Sequence, residues 1–205
     1  MPFIGRLGGG LGWIRTWLNL QVDSNYDCID PQEDLRFASV DLEGPVVGML
    51  TAARVERFTT ATTPSAHVIA TVGLRRPIAA ASPAAHPTDT IGTINILAVP
   101  NAPLAGEGLV NAVQTVVEAK TQALANARVS ALNIKGLATG TATDSLCVAC
   151  LPGESIPYCG PATPHGQELA QAVHNAVFEG AIASRKDGEY GSSTAEEPNR
   201  EECES

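Results

Sequence analysis

Apolar runs separated by turn-forming residues occupy the first half of the chain. Three of them, at 45–53, 67–74 and 92–99, are bounded by proline, glycine or clustered hydroxyl residues, which is typical of β-strands. A fourth run, at 146–151, is continuous and predicts a buried strand. The segment 13–22 is also apolar, but its pattern leaves helix and strand open.

Two longer segments have the periodicity of amphipathic helices. Apolar residues recur at helical spacing over 109–127, and a second helix is predicted over 163–183, where threonine and proline form its first turn. A shorter helix is expected from Pro31, with Asp30 as its N-cap. This order of elements predicts an α/β or α+β single domain in which helices cover a mixed sheet.

The charge of the chain is concentrated at one end. Of the formal net charge of −9, residues 187–205 contribute −6, from seven acidic residues and one arginine. We therefore expect residues 1–184 to form the domain and residues 185–205 to be a disordered acidic tail. No basic patch interleaved with aromatic residues is present, so nucleic acid is not expected as a partner.

Hydropathy and cysteine content bear on the compartment. No apolar stretch approaches the roughly 18 residues that cross a bilayer, and the first residues reach glycine before a signal-peptide core could form. The five cysteines are an odd number in a chain that does not need disulfides, which suits a reducing compartment. We expect a cytoplasmic protein with free thiols and no membrane partner.

Three motifs have both a chemical and a structural interpretation. The glycine-rich segment 8–12 could contact an anion, but no Lys-Ser/Thr pair follows it, which favours a flexible or close-packed loop. Cys147 and Cys150 have redox or zinc spacing, but a strand would turn their sulfurs to opposite faces and no second ligand pair follows. We expect buried structural cysteines and no metal. His165 lies where a helix dipole favours a neutral imidazole base, or it is a surface histidine.

The segment 138–144 is the most informative, because hydroxyl residues alternate there around a glycine and end in a carboxylate before an apolar run. In a catalytic site, Asp144 would act as a general base on water while Thr141 or Thr143 stabilises an oxyanion. In a turn, the same side chains would only satisfy the main chain. The residues alone favour neither interpretation.

At this segment the chain resembles the adenosylcobinamide amidohydrolase family, and the resemblance extends in order over roughly residues 8–180. The matching blocks are 9–11, 18–22, 26–27, 30–31, 47–53, 92–96, 109–113 with Thr115, Glu118, Ala119 and Lys120, then 138–144, Gly160, Thr163, Pro164 and Gly166. The resemblance implies a hydrolase that cuts the amide between a corrin propionate side chain and aminopropanol, giving adenosylcobyric acid in cobinamide salvage for cobalamin synthesis.

The implied substrate is a large corrinoid edged with amides, which suits a broad pocket lined by asparagine, threonine and main-chain groups. Amide hydrolysis requires an activated water or nucleophile, oxyanion donors and a proton for the leaving amine. The expected catalytic residues are Asp144 and Glu118 as base and acid, Lys120 for charge stabilisation, and Thr141 and Thr143. The expected substrate contacts are Asn95, Asn111, Thr93, Thr139 and His165. No cofactor is expected, and a homo-oligomer is left open.

Three alternatives stay open at this point. Thr139 after Ala138 also fits a self-cleaving amidohydrolase, in which a newly exposed threonine amine activates its own hydroxyl. The alternative function is a non-catalytic corrinoid-binding protein, in which the same polar groups hold the ligand without turnover. A soluble α/β domain with a structural threonine-rich loop is the third.

Overall fold

The computed structural model describes residues 6–7, 9–83 and 91–186, and this part of the chain folds into nine strands and three α-helices. The strands are β1 (Arg6–Leu7), β2 (Thr16–Gln21), β3 (Val46–Thr51), β4 (Thr59–Thr63), β5 (Ala66–Gly73), β6 (Pro77–Ile78), β7 (Thr93–Pro100), β8 (Gly140–Thr141) and β9 (Ser145–Val148). The helices are α1 (Pro31–Ala38), α2 (Gly106–Asn126) and α3 (Pro164–Lys186), with a 3-10 turn at Val55–Arg57. The predicted mixed α/β class is confirmed.

The central sheet has the order β4-β5-β7-β9. Strand β9 runs parallel to β7, whereas the other pairs are antiparallel. Alternate residues of β5 and β7, such as Val72 and Ile96, join the hydrophobic core with residues of α2 and α3. The core is built from small side chains, so the elements approach closely. At Gly180 of α3, for example, a Cβ atom would lie 2.6 Å from the Val72 side chain.

A second sheet, of order β1-β3-β2, packs on the other face of the central sheet. Strand β2 runs parallel to β3, which settles the segment whose type the sequence left open. Asparagine side chains link the two sheets: Asn95 Nδ2 donates to Asn19 Oδ1 at 2.8 Å and to the Leu50 carbonyl at 2.9 Å. This face is therefore joined by buried polar contacts as well as by packing.

The predicted starts of α1 and α3 are confirmed, whereas α2 begins at Gly106, three residues before its predicted start. The Asp30 carboxylate accepts a hydrogen bond from the Gln32 N–H at 3.1 Å, and the Thr163 hydroxyl accepts one from the Gly166 N–H at 3.1 Å. Helix α3 continues to Lys186, so the first two residues assigned to the acidic tail are helical. Residues 187–205 lie outside the described residues, and their predicted disorder stays a prediction.

The prediction of a buried strand over 146–151 is wrong in its extent and its burial. Strand β9 ends at Val148, its residues are half-buried, and Leu151 is exposed. The reason is that β9 is the edge strand of the central sheet: Leu146 and Val148 pack against the core, but the strand also lines a cleft. Cys150 therefore lies beyond the strand, so the alternation of side chains that would turn the Cys147 and Cys150 sulfurs to opposite faces does not apply.

The cysteines in the described residues, Cys28, Cys147, Cys150 and Cys159, are free thiols, as expected. The predicted burial of Cys147 and Cys150 is wrong, because both are half-buried beside the cleft. Burial, with a smaller contribution from Cys150, raises the pKa of the Cys159 thiol, so this thiol stays protonated at neutral pH. No helix within the described ranges is long and apolar enough to cross a membrane.

Candidate active site

The Asp144 carboxylate is held at the turn between β8 and β9. Its Oδ1 atom accepts hydrogen bonds from the main-chain N–H groups of Ile94 and Thr141, each at 3.1 Å, and the Thr141 hydroxyl also donates to it. The Ile94 N–H lies on the side of β7 that faces β9. If β9 began earlier, this N–H would donate to a main-chain carbonyl of β9, and the Asp144 carboxylate accepts the hydrogen bond instead. Asp144 is thus fixed to the sheet itself.

Lys120 extends from α2 to the other oxygen of this carboxylate. Its Nζ atom donates to Asp144 Oδ2, and the two side chains are only 12% and 16% exposed. A charge pair so far removed from water is strongly coupled, because removal of one partner leaves the other charge uncompensated. Lys120 and Asp144 therefore act as one unit.

The absence of a side chain at Gly140 leaves space for the Lys120–Asp144 pair. A Cβ atom at this position would lie 2.3 Å from Asp144 Oδ2 and 2.7 Å from Lys120 Nζ, closer than any atoms can approach without displacement. Sequence reasoning treated Gly140 only as a source of loop flexibility and missed this role. Its one signal is a glycine placed between two threonines in a segment that otherwise has β-strand composition.

Thr93 and Thr143 support the turn from the side of β7. The Thr143 hydroxyl donates to the Gly92 carbonyl at 2.8 Å, so in its 2.9 Å contact with Thr93 the Thr93 hydroxyl is the donor. Thr93 is fully buried. The structure thus brings together five predicted site residues around the turn, namely Lys120, Asp144, Thr141, Thr143 and Thr93.

Three other predicted residues bind protein groups away from the carboxylate. The Thr139 hydroxyl accepts a hydrogen bond from the Ala80 N–H at 2.9 Å, and Asn111 Oδ1 accepts one from the Cys159 N–H at 3.0 Å. Asn95 is fully buried between the sheets, and its Oδ1 atom has no partner among the described residues. As placed, these side chains brace the fold, and their predicted contacts with a substrate stay predictions.

His165 is not brought to the carboxylate. It lies in the first turn of α3, which is held near the end of β4 by a hydrogen bond from the Thr63 hydroxyl to the Glu168 carbonyl at 3.3 Å. That end of the central sheet carries Pro100, whereas Asp144 lies beside the start of β7. The seven residue steps along β7 correspond to roughly 23 Å.

Glu118 is also separate from the carboxylate. It is exposed on α2 and accepts a hydrogen bond from Gln114 at 3.0 Å. Two residues separate it from Lys120, which is a rotation of about 200° around the helix. The pairing of Glu118 with Asp144 as acid and base is therefore not supported by the structure.

A cleft of about 870 Å³ opens beside the Lys120–Asp144 pair. Its walls are one face of α2, the strand β9 with the segment that follows it, and the loop 9–14. The α2 face consists of Leu109, Val110, Val113, Val116, Val117 and Lys120. The apolar spacing that predicted α2 thus partly reflects a cleft wall, which sequence reasoning could not separate from a core face.

The described residues contain no group of three or more histidine, cysteine, aspartate or glutamate side chains arranged to hold a metal ion. Around the turn, the structure places a carboxylate, an ammonium group, and hydroxyl and main-chain donors at the end of an apolar cleft.

Comparison with known proteins gives a consistent family. The model of the adenosylcobinamide amidohydrolase family matches residues 4–189. An uncharacterized protein of Methanocaldococcus jannaschii is 36% identical over 97 residues, which cover 47% of this chain and 38% of that protein. A protein of Halobacterium salinarum named adenosylcobinamide amidohydrolase is 38% identical over 87 residues, 42% of this chain and 34% of that protein. The matched segments thus span little more than a third of these relatives. No solved structure gives a significant match.

Proposed function

Because the chain belongs to the adenosylcobinamide amidohydrolase family, we propose that it hydrolyses the amide between aminopropanol and a propionate side chain of the corrin ring. The products are adenosylcobyric acid and aminopropanol, and the reaction serves cobinamide salvage for cobalamin synthesis. The observation that carries the proposal is the largely buried Lys120–Asp144 pair at the end of a large apolar cleft. The free thiols of the described residues support a cytoplasmic location.

In the proposed reaction, Asp144 takes a proton from the water that attacks the amide carbon. Lys120 carries three N–H groups, of which one is used by Asp144, so the others are available to the carbonyl oxygen as it becomes negative. The carbon–nitrogen bond then breaks, and the proton on Asp144 passes to the leaving amine. The single carboxylate serves as base and then as acid, which is why no second carboxylate such as Glu118 is required.

The shape and polarity of the cleft support a corrinoid substrate. Small-molecule sites are mostly apolar and roughly 300–1,000 Å³ in volume, with few polar groups that fix orientation. At about 870 Å³ this cleft is at the upper end of that range, and its apolar α2 wall leads to the charged pair. A large ligand can place its apolar faces on the wall and one amide at the pair.

The direct test is incubation of the purified protein with adenosylcobinamide, with adenosylcobyric acid and aminopropanol measured by chromatography. Formation of both products is expected. Tight binding of the corrinoid without product would establish the non-catalytic alternative, and absence of binding would exclude both functions.

Glu118→Gln is expected to leave turnover within about twofold of the parent value, because Glu118 faces solvent on the far side of α2 from Lys120. Steady-state kinetics on adenosylcobinamide measure this. A loss of tenfold or more at unchanged melting temperature would restore Glu118 to the mechanism.

The chain is expected to remain uncut at the Ala138–Thr139 bond, because the Thr139 hydroxyl accepts a hydrogen bond from the Ala80 N–H and Ala138 is buried. Mass spectrometry of the purified protein should show one species near 21.3 kDa. Two fragments that meet at Thr139 would instead identify this threonine as the nucleophile.

A further inference from the structure

One edge of the central sheet is open to the cleft. Among the described residues, β9 pairs with β7 alone, and it is the last strand of the sheet. Residues 145–150 all line the cleft, and the cleft is bounded on its two sides by α2 and the loop 9–14. A strand edge carries unpaired N–H and C=O groups, which can form hydrogen bonds with a ligand or with another strand.

The direction of these groups follows from the pairing. The Ala149 N–H donates to the Ala98 carbonyl at 3.0 Å, so it points toward β7. Successive N–H groups of a strand point to opposite sides, and Cys147 and Ser145 therefore also face β7. The N–H and C=O groups of Leu146 and Val148 consequently point away from the sheet and into the cleft, about 6.6 Å apart along the strand.

The open edge begins at the reactive pair. Asp144 precedes β9 directly, and its carboxylate replaces a main-chain acceptor for the Ile94 N–H. The loop 9–14 lines the same cleft as β9, and there is open space beside it, since Cβ atoms at Gly10 and Gly12 would meet no atom within 4 Å. A ligand along β9 thus reaches Asp144 at one end.

We propose that the outward main-chain groups of Leu146 and Val148 bind carboxamide groups at the edge of the corrinoid and thereby position its aminopropanol amide at Lys120 and Asp144. The inference rests on the proposed function and adds the element that selects the substrate. A carboxamide has one acceptor and two donor hydrogens, which complement an N–H and a C=O on the same strand edge. The apolar side chains of the α2 wall offer no such groups, and we assign the positioning of the ligand to the strand edge.

The test replaces single residues by their α-hydroxy acid counterparts, which exchange one main-chain N–H for an ester oxygen and keep the side chain. Esters at 146 and 148 are expected to raise KM for adenosylcobinamide about five- to tenfold each, the loss typical of one hydrogen bond, with kcat within twofold. The matched control is an ester at Ala98, which removes the N–H that β7 directs at β9 in the same ladder and leaves every amide of β9 intact. It should lower the melting temperature and leave KM within twofold.

The outcomes separate this inference from the proposed function. Unchanged KM at both 146 and 148, with the parent protein active, overturns the inference and leaves the function intact. An equal rise in KM for the Ala98 ester also overturns it, because distortion of the ladder between β7 and β9 then explains the effect. If the parent binds the corrinoid without turnover, the function fails and the same comparison is read from Kd by absorbance titration. No binding overturns both.

Discussion

Asp144→Asn is expected to lower turnover of adenosylcobinamide at least about a hundredfold, the usual range for loss of a general base. Asparagine keeps the size of the side chain but cannot take a proton from water. It also places an amide against the Lys120 ammonium, so the mutant should be less stable than the parent. Loss of one partner of a buried charge pair typically lowers the free energy of unfolding by about 3–5 kcal/mol. Because Lys120 and Asp144 keep some exposure to water, we expect a loss toward the lower end of that range.

A double mutant separates catalysis from stability. Lys120→Met combined with Asp144→Asn removes both charges, so part of the lost melting temperature should return because no uncompensated charge is left. Turnover should stay low, since both reacting groups are gone. Recovery of turnover together with stability would show that the pair is only structural. A single Asp144→Asn mutant that keeps near-normal turnover would exclude Asp144 from the chemistry.

The elements of the fold could be predicted from the sequence where the signal is local. The Asp30 and Thr163 caps, the proline-led helix starts and the alternating strands depend on neighbours within four residues. The order of strands in the sheets could not be predicted, because it depends on contacts between distant segments. The strand β9 illustrates this: its apolar composition is that of a buried strand, and only its position at the sheet edge makes it a cleft wall.

The site was predictable in composition and not in arrangement. The segment 138–144 drew attention because it concentrates hydroxyl groups and a carboxylate, and Lys120 was a candidate through the family resemblance. Their direct contact could not be inferred, since 24 residues separate Lys120 from Asp144 and the contact requires α2 to pack beside β9. Glu118 was selected with Lys120 for the same reason, but helix geometry places the two on opposite sides.

Gly140→Ala is expected to lower turnover roughly a hundredfold, because the new methyl group occupies the space of Asp144 Oδ2 and Lys120 Nζ. Displacement of reacting groups by about 1 Å can cost this much without loss of any group that takes part in the chemistry. The side chains of the pair can swing aside more easily than the main chain can move, so the fold should survive. Circular dichroism and melting temperature report on the fold, and kcat reports on the pair.

The matched control is Gly136→Ala, in the segment that leads into β8. A Cβ atom there would meet only the exposed Ile134 side chain, with Cδ1 at 3.2 Å and Cγ1 at 3.7 Å, and this side chain can rotate away. Both substitutions remove the same conformational freedom from the unfolded chain, so any difference between them arises in the folded protein. If Gly140→Ala keeps turnover near that of Gly136→Ala, the spacing of Lys120 and Asp144 is not critical, and the pair would then act as a structural tie.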